Sequence, residues 1–243
     1  MGLALFWGIV AGASLVIGGL LALRFRIGPL ALGLVMAFGA GVLISAVAFE
    51  LVLEAAETSL GDGGLAAGFF AGALVFFAGD WAIDRFGGEG RKRSRGGHEA
   101  GTGLAIVLGI VLDGIPESIV IGLTLLGGGD VSVAIIAAVF LSNLPEAIAA
   151  TTGLDRSGWA HRRILGLWIL LLAVTALSSL AGYTVFGDAS DNEVAFVLAF
   201  AGGAILTMLA DTMMPEAFEQ GGKLVGLATA LGFGLSFALT LAE

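Results

Sequence analysis

Leu108-Gly-Ile-Val-Leu-Asp113-Gly-Ile-Pro116-Glu117-Ser-Ile-Val-Ile-Gly-Leu123 and Val139-Phe-Leu-Ser142-Asn143-Leu-Pro145-Glu146-Ala-Ile148 are the stretches whose reading decides this chain. Both are apolar runs interrupted by a proline and a glutamate, and the two glutamates stand 29 residues apart. A carboxylate inside hydrocarbon is costly and ordinarily faces a bundle interior or a wet cavity. The proline before it removes a backbone donor, which frees the carbonyl four residues back, here Leu112 and Leu141. An acid beside loosened backbone oxygens is what a dehydrated cation needs. Aligned on their prolines, the two segments share Leu, Pro, Glu and Ile. Asp113 with Glu117, and Ser142 and Asn143 with Glu146, fall three or four residues apart, so each set occupies one helical face. Packed side by side, the two helices would present five oxygen-bearing side chains near the middle of the bilayer.

Outward from these segments, the composition defines the solvent. Of 243 residues, 58% are hydrophobic and 13% charged, with a mean hydropathy of +1.01, which excludes an ordinary water-soluble domain. Eight apolar stretches approach the length of about 20 residues that spans a bilayer core: roughly 2–23, 28–53, 64–86, 102–125, 131–153, 163–184, 193–214 and 221–241. The reading is a single all-α transmembrane domain over residues 1–243, multi-pass, in a cell (inner) membrane. The first stretch is followed, not preceded, by Arg24 and Arg26, so it reads as a retained helix and not a cleaved signal. With no cysteine, disulfides and thiolate ligation are excluded.

Placing both termini outside puts all 11 basic residues in inner connections: Arg24 and Arg26; Arg85 and the run Arg91-Lys-Arg-Ser-Arg95; Arg156, Arg162 and Arg163; and Lys223. The outer connections then hold only acids, Glu54, Glu57, Asp62, Asp130, Asp188, Asp191 and Glu193. This split follows the positive-inside rule and depends on a count of eight, since one helix fewer would scramble it. The net charge of −9 argues against nucleic acid as a partner. The Gly-rich loop 87–101 reads as a basic cytoplasmic linker meeting anionic headgroups, with His98 a weak metal candidate. Gly8/Gly12, Gly64/Gly68/Gly72 and Gly222/Gly226 have the spacing of close helix packing. Trp7, Trp81, Trp159 and Trp168 read as interfacial anchors, and Asp80 and Asp84 beside Arg85 as a structural ion-pair group.

At its Pro-Glu motifs the chain resembles the ZIP (Zrt/Irt-like) family of divalent metal transporters. The resemblance extends to Gly39-Ala-Gly41 through Phe49-Glu50-Leu51, and to Ala201-Gly202-Gly203 leading to Asp211 and Met214-Pro215-Glu216. It implies eight spans, kinked fourth and fifth helices forming a central metal site, and transport of zinc or another divalent cation with no resident cofactor. The family's histidines are replaced by Asp113 and Ser142, and its asparagine after the first by Gly114. The sixth span holds no acid between Ile164 and Tyr183, with Ser178 and Ser179 the nearest polar candidates, so the glutamate that serves a second metal in the family is missing. The expected ligands are Asp113, Glu117, Ser142, Asn143 and Glu146; Glu50 and Asp211, toward the ends of their spans, read either as outer-entrance and inner-exit pathway residues or as polar groups satisfied by packing. An all-oxygen set favours harder ions such as manganese or iron, although the affinity order still favours zinc. Carboxylates crowded in low dielectric cannot all stay ionised when the site is empty, so a proton is expected to leave as metal enters.

The expected partners are the metal ion, the lipid bilayer and a second copy of the chain. Two other functions compete. One is a transport-inactive relative serving as metal sensor or structural subunit. The other is an intramembrane aspartyl protease, suggested by Gly127-Gly-Gly-Asp130; it lacks a Tyr-Asp partner, since the sole tyrosine, Tyr183, precedes threonine. No enzymatic chemistry is expected.

Overall fold

The computed structural model describes residues 1–58, 63–85, 100–126 and 132–242. The loop carrying His98 and the basic run, together with Asp62 and the Gly127–Asp130 motif, lies outside the described residues. The rest is an all-α membrane protein, with no strand among the described residues. Its helices are α1 (Gly2–Arg24), α2 (Pro29–Ala46), α3 (Glu54–Thr58), α4 (Gly64–Ile83), α5 (Ala100–Leu123), α6 (Val133–Arg156), α7 (His161–Val185), α8 (Asp191–Met208), α9 (Met214–Gly221) and α10 (Val225–Thr240). Two π-helical segments, Val47–Leu53 and Leu209–Met213, extend α2 and α8. Among the described residues, six helices are long and apolar enough to cross a membrane; one is the 50-residue run Asp191–Thr240, interrupted at Gly222 where φ is 59°.

Local chemistry sets several of the helix starts. Pro29 occupies the first turn of α2, where its missing N–H costs nothing. Ser132 caps α6 by accepting from the Ile135 N–H at 3.2 Å. Ser190 and Glu193 form a capping box on α8. α5 and α6 each run continuously through an internal proline.

Glycine governs the packing, because a bilayer provides no hydrophobic force between helices and close backbone approach must supply the attraction. A methyl built on Gly41 of α2 would lie 2.0 Å from the Thr229 carbonyl oxygen of α10, and one on Gly232 of α10 would lie 2.0 Å from the Phe38 oxygen of α2. The same device joins α8 to α4: Gly203 meets the Phe69 oxygen and Gly72 the Phe200 oxygen, each at 1.9 Å. Ala37-Phe38-Gly-Ala-Gly41 and Ala199-Phe200-Ala-Gly-Gly203 are therefore equivalent positions in two related units. Exchanging α1 with α7, α2 with α8, α4 with α10 and α5 with α6 maps each pairing onto another, including α1·α6 onto α7·α5. α1 and α7 themselves pack antiparallel, Gly8 against Ala176 and Gly12 against Leu172. A pair that is both antiparallel and exchanged places the pseudo-two-fold axis across the helices, so the two units have inverted topology.

Two expectations are corrected. Trp168 is no interfacial anchor: it is fully buried, packs on Gly19, and donates its indole N–H to Thr151 at 2.8 Å. Nor is Gly222/Gly226 a packing pair, because Gly226 has nothing within 4 Å and Gly222 serves the backbone turn at positive φ. The remaining tryptophans differ: Trp81 is exposed with Arg85 over its ring at 5.1 Å, and Trp159 carries Arg163 at 4.0 Å.

Candidate metal site

Glu117 is built into the interior by α5. It is 1% exposed, and neither carboxylate oxygen has a hydrogen-bond partner. Pro116 leaves the Leu112 carbonyl without its helical donor, while Ser118 donates to the Gly114 carbonyl. The Leu112 side chain fills the space over Gly79 and fixes α5 against α4. Asp113 stands one turn before Glu117, part-buried and within electrostatic reach of it. A carboxylate withdrawn from water with no donor on either oxygen calls for a proton or a cation.

On α6, Ser142 and Asn143 are buried and Glu146 is part-buried. The Ser142 hydroxyl donates to the Val139 carbonyl at 3.1 Å, which leaves its oxygen lone pairs available. Pro145 frees the Leu141 carbonyl, and α2 lies against it at Gly39: a methyl there would stand 2.9 Å from the Leu141 oxygen. α5 and α6 touch, but their broader packing is elsewhere, α5 on α7 and α6 on α1 and α2. Among the described residues, no three His, Cys, Asp or Glu side chains form a group able to hold a metal ion. Asp113 and Glu117 are thus neighbours on one helix, and Glu146 belongs to the helix equivalent to it.

The candidate pathway acids both occur in π-helical segments. Glu50 accepts from the Ser132 hydroxyl at 2.8 Å, and Asp211 is exposed. π turns are rare and recur at functional sites, because the extra residue re-aims the side chains that follow. Sequence patterning missed them, since one inserted residue leaves an all-apolar helix equally apolar. The repeated Ala-Phe-x-x-Gly was the available signal. Asp80 is buried, and Ser179 donates to the Ala4 carbonyl at 2.8 Å, fastening α7 to α1.

No protein-family model matches this chain. It is similar to an Arabidopsis thaliana protein named "Putative zinc transporter", with 25% identity over 191 residues. The match covers 77% of this chain and 30% of that protein, so the chain spans about a third of its relative's length.

Proposed function

We infer that this protein carries a divalent metal cation across a cell membrane, in the manner of ZIP-like transporters, through a midplane site formed by Asp113, Glu117, Ser142, Asn143 and Glu146. The observation that carries the reading is Glu117, a buried carboxylate with no hydrogen bond on either oxygen, on one of two Pro-Glu helices exchanged by an inverted repeat. Inverted repeats that meet at a midplane site are how many secondary transporters hold ions midway through the bilayer and expose them alternately to the two faces; here the two helices at the junction stay continuous, and their prolines free a carbonyl on each. The similarity to a protein named as a zinc transporter supports the same cargo class.

The reading has eight crossings with both termini outside. Gly222 divides the run Asp191–Thr240 into two of them, and α5 supplies another. A proton leaves as metal enters. A second copy of the chain is the proposed partner in the membrane, and the metal is cargo rather than a resident cofactor.

Reconstituted vesicles test this directly. Wild type takes up Zn²⁺ or Mn²⁺, while Glu117→Gln and Glu146→Gln, purified as folded protein, do not. Wild-type rates in Glu117→Gln would overturn the assignment. A sensor would bind metal without flux, and a protease would lose activity only on substitution of Asp130.

A further inference from the structure

Gly39 brings three things to one point. A methyl built there would stand 2.9 Å from the Leu141 carbonyl oxygen, 3.2 Å from the Ser142 Cα and 3.2 Å from the Met213 Cε. Met213 is 2% exposed and ends the π-helical segment Leu209–Met213. Its thioether methyl therefore lies where α2 meets the carbonyl freed by Pro145, alongside the first of the α6 candidate ligands, and the sulfur is one bond behind. The adjacent Met214 faces elsewhere, its sulfur accepting from Thr229 of α10 at 4.0 Å.

We propose that Met213 supplies a soft thioether ligand to the cation at the α6 end of the site, and so sets which divalent ions the protein selects. The inference rests on the carrier reading above for the place of the site. A thioether is polarizable and weakly donating, and it favours thiophilic ions over hard ones. Added to carboxylates, a serine and an amide, it converts an all-oxygen site into a mixed one. That shifts preference from Mn²⁺ toward Zn²⁺ and Cd²⁺. A leucine would fill the same volume without the lone pairs, so the sulfur and the packing are separable.

The chain has no cysteine, so any sulfur bound to metal must come from methionine. X-ray absorption of purified wild type loaded with Zn²⁺ or Cd²⁺ is expected to show a sulfur shell at about 2.3 Å or slightly beyond. Met213→Leu removes that shell, and Met213→Gln replaces it with oxygen. In vesicles, the Cd²⁺ to Mn²⁺ uptake ratio falls by about tenfold in Met213→Leu, the low end for loss of a group that tunes a metal site, and further in Met213→Gln. Oxygen-only scattering in wild type, no bound metal, or a sulfur shell that survives in Met213→Leu overturns the proposal. Absence of flux with the sulfur shell intact instead overturns the carrier reading and leaves the ligand assignment standing.

Discussion

Ser132 donates its hydroxyl to Glu50 at 2.8 Å while accepting the Ile135 N–H at 3.2 Å, so one side chain caps α6 and holds the π-helical extension of α2. The contact joins residues 82 apart in sequence. Ser132→Ala removes both bonds, and a lost cap alone costs about 1 kcal/mol. The expected result is a lower unfolding temperature in detergent. In Glu50→Gln the loss is smaller because the cap survives, and a double-mutant cycle gives the coupling between the two residues.

Substitution at Gly41, Gly72, Gly203 or Gly232 should prevent assembly of the bundle. Each added methyl would lie within 2.0 Å of a carbonyl oxygen on a neighbouring helix, and backbone on both sides cannot yield. Gly166→Ala, Gly226→Ala and Gly234→Ala, where nothing lies within 4 Å, are expected to leave yield unchanged and to raise helix stability by up to about 1 kcal/mol per site. Size-exclusion profiles of the two sets provide the comparison.

Glu117→Gln should abolish flux without destabilising the protein. Both Glu117 oxygens lack partners, so the substitution breaks no hydrogen bond and removes the need to keep an ionisable group in the interior. An unfolding temperature equal to or above wild type, with uptake gone, is the expected pair of outcomes. A clear drop in stability would mean that Glu117 is structurally engaged.

Metal binding should release protons and strengthen as pH rises. A cation and a proton compete for the same carboxylates, so binding is weakest in acid, where the site is already occupied. Isothermal titration in two buffers of different ionisation enthalpy counts the protons released. A count of zero with pH-independent affinity rules out the exchange.

Trp168→Phe should destabilise the packing of α1, α6 and α7 around it. The indole is fully buried, and its loss leaves Thr151 without that donor, which costs about 1–3 kcal/mol. Tryptophan fluorescence in lipid also distinguishes Trp168, shielded from quenchers carried on lipid, from the exposed Trp81.

Among the described residues the apolar stretches fall largely on helix, with six helices long and apolar enough to cross a membrane, because in hydrocarbon every backbone group must be satisfied within its own segment, and composition alone reveals that demand. The Pro-Glu motifs were legible for the same reason, since acid and proline stand out in an apolar run. Trp168 was misread because aromatic residues near a span end serve as anchors or as core, and only the neighbour decides. Thr151 and Gly19 made it core.

By itself, the order of residues determined the solvent, the helical class and the pair of acidic helices, all of which follow from local chemistry. Tertiary structure alone decided which carbonyl each glycine receives, which buried acid lacks a donor, and that Met213 lies beside Ser142. Those are distances between segments remote in sequence. A stretch that is apolar on every side has no face to announce its partner, so backbone fit between helices had to choose it.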